Sequence, residues 1–368
     1  MRLGAALPFG QVPPVLAHFT GVAVDAETVR RLTEAAGAAQ VAVEAAAVAT
    51  LERTLPDEPA GPPVQLLSVD GAMAPLVGGV WAEVKTLAVG EVVAGADGPT
   101  TVALSYFSRL TDADRFGRLA TGETHRRGTA TAGTVVAVAD GAAWCQGFVD
   151  LHRPDAVRVL DYPHAVEHLG QAAQAGFGPG TAATSAWLGE QAHALRHGRE
   201  AAVLTALTVL AATPGLGAEA RATVTGVHGY LATRRAQIRY RAFAAAGYPI
   251  GSGCVESANK LVVEARLKGP GMHWARANVD PLLALRCLLA NGRWDAAWPG
   301  LWAALRRSRR RPAPAPSPPA SPPEPAPPAA PSPGRSSQPA RPRPKLVVDG
   351  KPTADHPWKR GLALHAKP

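Results

Sequence analysis

Along the chain the spacing of apolar positions changes from helical to alternating and back to helical. From about Val12 to Arg53 it is helical and alanine-rich: Thr20-Gly21 breaks a first short helix, and Asp25 caps a second that carries Val29, Leu32 and Val41. The prolines of Leu55-Pro-Asp-Glu-Pro-Ala-Gly-Pro-Pro63 forbid helix continuation and make a linker. Alternation follows. Val64 to Gly71 reads as a buried strand ending in Asp70-Gly71, Gly79 to Val89 as a second and Thr100 to Phe107 as a third, and their short connections predict an antiparallel start to a sheet. After a polar helix near Asp112 to Thr124 come two more strands, Thr134 to Ala139 closed by Asp140-Gly141, and Ala156 to Leu160 closed by Asp161-Tyr-Pro-His164. Strands separated by helices predict a mixed α/β sheet, with functional groups gathered outside the strand ends.

From Ala165 to about Phe243 the pattern is helical, with Trp187, Leu188, Leu195, Leu204 and Leu207 as core candidates. A glycine-punctuated turn then places Ser252 as an N-cap for a helix through Val255, Lys260, Val262, Val263 and Leu267, stopped by Gly269-Pro270. Pro281 to Ala290 packs as a further helix, and the globular part is expected to end near Leu305. Pro312 to Pro344 is too proline-rich to bury a core and is predicted to be extended and disordered.

Composition sharpens this picture. The 368 residues, 46% of them hydrophobic, can bury one large core or two modest ones. Cys145, Cys254 and Cys287 are too scattered for a zinc module or a disulfide framework, which fits a reducing cytoplasm. No apolar run approaches the roughly 20 residues that cross a bilayer, and the N-terminus lacks a signal-peptide core, so an unexported chain with no membrane partner is expected. The formal net charge of +9 is unevenly placed: from Leu301 onward thirteen Lys and Arg face three acids, leaving residues 1–300 about neutral. Such a tail suits a non-specific nucleic-acid anchor and equally a solubilising extension.

Three acids stand at marked places. Each Asp-Gly, at Asp70 and Asp140, is by itself a common turn, and Glu256 by itself could pair with Lys260 four residues on. Taken together, three carboxylates on rigid elements can hold two divalent cations about 3.5–4 Å apart, the arrangement used in phosphoryl transfer. Oxygen ligands favour Mg²⁺ or Mn²⁺. Lys260, Arg266 and Lys268 follow Glu256 as a basic surface, and Arg234, Arg235 and Arg239 cluster upstream of it, both suited to phosphates. The short helix, glycine turn and second helix bearing Arg30 and Arg31 are compatible with a helix-turn-helix that reads DNA and also with simple helical packing.

Four ordered blocks within about residues 20–300 carry a family resemblance. Asp70-Gly71, then Asp140-Gly-Ala-Ala-Trp144, then Leu160-Asp-Tyr-Pro-His-Ala165 with Glu167-His-Leu169, and last Gly251-Ser-Gly-Cys-Val-Glu-Ser257 with Arg266-Leu-Lys268 and Gly271-Met-His-Trp274 resemble bacterial insertion-sequence DDE transposases. The nearest branch is the ISKra group, related to Mutator-like elements. The resemblance implies an RNase H-like, retroviral-integrase-type mixed sheet with a helical insertion before the last acid. It also implies Asp70, Asp140 and Glu256 as the catalytic, metal-ligating triad, with two Mg²⁺ or Mn²⁺ ions. The implied activity is cleavage and strand transfer at an element's terminal inverted repeats. The partners would be double-stranded DNA and further copies of the chain in a synaptic complex, in the bacterial nucleoid.

Asp161 and His164 match the family's Asp-x-x-His signature; from the residues alone, His164 could orient a phosphate or cap the strand-to-helix turn. The expected domains are N-terminal helices over 1–54, a linker over 55–63, the first part of the core over 64–164, the insertion over 165–247, the rest of the core over 248–305 and a basic tail over 306–368. Two other readings are a truncated, catalytically idle remnant that only binds DNA, and a nuclease that hydrolyses without joining.

Overall fold

The computed structural model describes residues 1–310 apart from Asp97; the expected basic tail therefore lies outside the described residues from Arg311 on. Helices α1 (Arg2–Ala6), α2 (Val12–Thr20) and α3 (Ala26–Thr54) open the chain. Asp25 caps α3 by accepting from the Thr28 backbone N–H at 2.6 Å. Strands β1 (Val64–Pro75), β2 (Trp81–Gly95) and β3 (Gly98–Arg109) follow. Then α4 (Ala113–Arg126), β4 (Thr134–Ala139), α5 (Ala143–His152) and β5 (Val157–Leu160) alternate.

The strand order is β3-β2-β1-β4-β5. β1, β2 and β3 are antiparallel neighbours, joined by short connections, whereas β4 and β5 run parallel to β1 and are reached through helices. Ser68 is the last residue of β1 opposite β4, where it faces Val138; beyond it β1 continues to Pro75 paired with β2 alone. The direction of strand succession reverses between β1 and β4, the place where open α/β sheets collect ligands.

Five helices come next, α6 (Tyr162–Phe177), α7 (Ala182–Arg196), α8 (Glu200–Ala211), α9 (Ala218–Thr233) and α10 (Tyr240–Ala245). They bury Leu169, Leu195, Leu207, Leu231 and Tyr240 in one cluster with Leu66, Val136 and Val138 of the sheet. The chain then forms α11 (Gly253–Ala258), a π-helical stretch over Asn259–Glu264, α12 (Ala265–Leu267), α13 (Arg276–Ala290) and α14 (Trp294–Arg310). Val255, Val262, Val263 and Leu283 of this group cover Ala72, Ala74 and Val84. Leu66 and Ala72 point the same way in β1, so Asp70 falls at the seam between the two helical layers. The opposite face, Leu67, Val69 and Val135, packs on Phe116 of α4 and Phe148 of α5.

The described residues belong to one compact unit, so the segments expected over 1–54, 64–164, 165–247 and 248–305 share a core. α3 is built into it: a Cβ on Gly37 would stand 2.1 Å from the Pro281 carbonyl oxygen, so only glycine lets α3 and α13 approach this closely. Three expectations are corrected. The first strand does not end at Asp70-Gly71 but continues to Pro75, paired with β2. The last helix runs to Arg310, past Leu305. The helix after Ser252 is not one regular α-helix, since it widens to a π turn from Asn259 to Glu264, and Arg286 of α13 donates to the Leu261 and Val262 carbonyls there. Among the described residues no helix is long and apolar enough to cross a membrane.

Candidate active site

Asp70 lies where β1 parts from β4. Its Oδ1 accepts from the Gly71 N–H at 2.7 Å and its Oδ2 from Asn259 Nδ2 at 2.8 Å. Burial pushes its carboxyl above the usual range, and the charges of Asp140 and Glu256 push it further, against the lowering pull of the two hydrogen bonds. Asp70 therefore feels the charge of both other acids predicted from the sequence. Asp140 follows the last residue of β4; its Oδ1 accepts from the Ala142 N–H at 2.9 Å and lies 3.4 Å from the Cys145 thiol, whose ionisation burial and Asp140 both suppress. Glu256 sits on the first turn of α11, exposed, with Ser252 Oγ donating to its Oε1 at 3.1 Å. Ser252 thus serves the acid and not, as expected, a helical N–H, since its side chain makes no capping bond.

Neither a known protein-family model nor a curated protein matches this chain, so the site is read from its own geometry. Two braces hold it. From α9, Tyr230 donates its hydroxyl to the Asp140 carbonyl, and Arg234 lies 4.0 Å over the Tyr230 ring while donating to the Gly141 carbonyl at 2.8 Å. Gly141 has φ 82°, and a Cβ there would meet the Tyr230 hydroxyl at 2.7 Å, so the turn after Asp140 requires glycine on both counts. The second brace is Asp161. It is 3% exposed; its Oδ1 accepts from the Ser252 N–H at 2.6 Å and its Oδ2 from the His164 N–H at 3.0 Å. One buried carboxylate thus caps α6 and fixes the turn that delivers Glu256. The Tyr162 N–H donates to the Ile250 carbonyl at 2.9 Å and reinforces the same junction. His164 itself is half-buried, with Nδ1 3.7 Å from Glu167.

The donor set is all oxygen, as Mg²⁺ or Mn²⁺ would require. Asp140 Oδ2 and Glu256 Oε2 accept no hydrogen bond among the described residues, and the buried Asn259 Oδ1 beside Asp70 is also unpartnered. Among the described residues no three His, Cys, Asp or Glu side chains stand close enough together to hold an ion as placed. Closing on a shared cation would therefore require side-chain movement.

The basic candidates divide. Lys260, Arg31, Arg235 and Arg239 are exposed, and their side chains make no hydrogen bond or ion pair among the described residues. Lys268 pairs with Glu264 at 2.7 Å, and Arg30 is clamped by Glu27 at 2.5 Å and Glu34 at 2.8 Å, so its guanidinium is already engaged. Arg266 corrects the expected phosphate surface: it is 2% exposed, lies 4.5 Å over the Phe9 ring and 5.0 Å over Trp274, and donates to the Gly4 carbonyl. Desolvation lowers it to about 10, with the charge of Arg286 adding to the effect. Reading the sequence missed Asn259, Tyr230 and the bracing role of Arg234. Only Asn259 carried a local signal, as a polar residue in phase with Val255 and Val262.

Proposed function

We propose that the chain is a metal-dependent polynucleotidyl transferase with an RNase H-like core, which cleaves DNA at the ends of a mobile element and joins the freed end to a target. The observation that carries this reading is the position of Asp70, where β1 parts from β4 at the sheet's reversal point, with Asp140 just past the end of β4 and the charges of Asp140 and Glu256 both acting on Asp70. The strand order β3-β2-β1-β4-β5 and the five helices between β5 and Glu256 support it as well. Asp70, Asp140 and Glu256 would hold Mg²⁺ or Mn²⁺. Bound divalent cations supply activation of water and neutralisation of charge on the phosphodiester.

The chain's own residues do the rest. Asn259 and Gly71 hold Asp70 in one rotamer, Tyr230 and Arg234 hold the Asp140 turn, and Asp161 holds the Ser252 turn beneath Glu256. Lys260, exposed one turn after Glu256, would meet a backbone phosphate. Duplexes made from the DNA on either side of the gene provide the test, scored for nicking, strand transfer and gel shift. Asp70→Asn, Asp140→Asn and Glu256→Gln should each lower Mg²⁺-dependent cleavage by about a thousandfold and leave the gel shift intact. Full cleavage in all three variants rejects the proposal, and a gel shift without cleavage in the parent chain leaves a DNA-binding protein that does not cut.

A further inference from the structure

Away from the acid site, α14 carries an aromatic ladder that the proposed reaction does not use. Trp294, Trp298, Trp302 and Arg306 recur every four residues and so rise along one side of the helix. The ring centroids of Trp294 and Trp298 are 6.2 Å apart at 19°, those of Trp298 and Trp302 6.0 Å apart at 20°, and the Arg306 guanidinium lies 5.8 Å over Trp302. The ladder starts in the core and ends in solvent: Trp294 is 6% exposed and Trp302 41%. Trp302 and Leu305 differ in this respect, for Leu305, like Leu301, faces the core. Beside the exposed ring, Arg306 and Arg307 are also exposed, and they begin the basic stretch that gives the chain its positive charge.

The geometry points to a binding surface for single-stranded nucleic acid, with Trp302 as the stacking platform and Arg306 and Arg307 as phosphate contacts. An exposed indole amid cations matches a ligand that has both flat apolar faces and regularly spaced negative charge, and unpaired nucleotides have both. A duplex hides its base faces, and an acidic peptide offers charge without them. The Arg306 guanidinium makes an exposed cation–π contact with Trp302, weaker than base stacking, so a base can replace the guanidinium and leave it for the adjacent phosphate. This inference stands apart from the acid site, and its ligand needs no cleavage to be detected.

The test is tryptophan-fluorescence titration of the full chain with a thymidine oligonucleotide about 20 nucleotides long, a length that exceeds one stacking site. A Trp358→Phe background removes the signal of the tryptophan that lies outside the described residues. Saturable, salt-sensitive quenching is expected. Trp302→Ala should weaken binding about tenfold and remove most of the quench, Trp302→Phe should retain most of the affinity, and Arg306→Gln should flatten the log K against log salt slope by about 0.7. Asp140→Asn should bind as the parent does, which keeps the result separate from the fate of the proposed reaction. If Trp302→Ala unfolds at lower temperature, the Phe and Gln variants decide. Equal binding by Trp302→Ala and Arg306→Gln, equal quenching by a duplex of the same length, equal competition by polyglutamate, or loss of binding in Asp140→Asn would each overturn the inference.

Discussion

At the scale of single residues, the site works against the stability of the fold. Asp70 is raised first by burial, and the charges of Asp140 and Glu256 add to it. A carboxyl raised in the folded state contributes stability that is full below its unfolded value and lost as pH rises through the folded one. At neutral pH Asp70 is therefore a burden. Asp70→Asn should raise the unfolding midpoint at pH 7 by about 2 °C or more, because the orphaned Asn259 Oδ1 can turn to accept from the new amide. Mg²⁺ should raise the midpoint of the parent chain and not of this variant. His152 has the opposite sign. Burial lowers it to about 4, so its contribution is full above its ordinary value near 6.5 and lost as pH falls toward 4. Unfolding measured against pH should show a one-proton slope in that window, and His152→Gln should flatten it. Arg266→Ala is expected to cost about 3 kcal/mol of stability, measured by denaturant unfolding, because it empties the slot between Phe9 and Trp274. A variant that kept its stability and lost only DNA affinity would return Arg266 to the phosphate surface.

Among elements, the acids depend on two junctions that neither strand nor helix supplies alone. α9 reaches back to the turn after β4 through Tyr230 and Arg234, and β5 reaches forward to α11 through Asp161. Tyr230→Phe removes one hydrogen bond to the Asp140 carbonyl, worth about 1 kcal/mol, and should lower the cleavage rate about fivefold with DNA affinity unchanged. Asp161→Asn replaces one of two accepting oxygens with a donor facing a backbone N–H. It should lower turnover more than affinity, because Glu256 loses its fixed turn; equal loss in both would make Asp161 part of the DNA surface instead. The junctions also explain why some of the site was legible in the sequence. Asp25, Asp112 and Asp161 announce helix starts because a cap acts within three residues. Asp70-Gly and Asp140-Gly stand out because each comes after an apolar run, although only Asp140 lies past the end of its strand, Asp70-Gly71 being inside β1. The bond from Ser252 to Glu256 was misread as a cap because both uses need the same residue at the same place. Arg266 was misplaced although it falls four residues after Val262 on the buried stripe, a phase that a charged side chain obscured. Tyr230 and Arg234 had no local signal, since their partners lie 90 and 93 residues away in the chain.

For the whole molecule, the strand periods foretold a mixed α/β fold, and the antiparallel β1-β2-β3 start followed from their short connections. The parallel addition of β4 and β5 beside β1 is non-local, and it is this pairing that sets Asp140 next to the end of the shared register with β1. The long helices at the N-terminus read as a separate region because their own pattern is helical throughout; Gly37 against Pro281 shows that they are core instead. The central claim is that Asp70, Asp140 and Glu256 share a divalent cation, and it can be tested without DNA. Fe²⁺ with ascorbate and peroxide cuts the polypeptide beside the ion it replaces, and the fragments can be mapped by mass. The expected result is cutting near residues 70, 140 and 256 together, suppressed by Mg²⁺ and abolished by Asp140→Asn. Cutting at one of the three alone, or at none of them, would contradict the shared site.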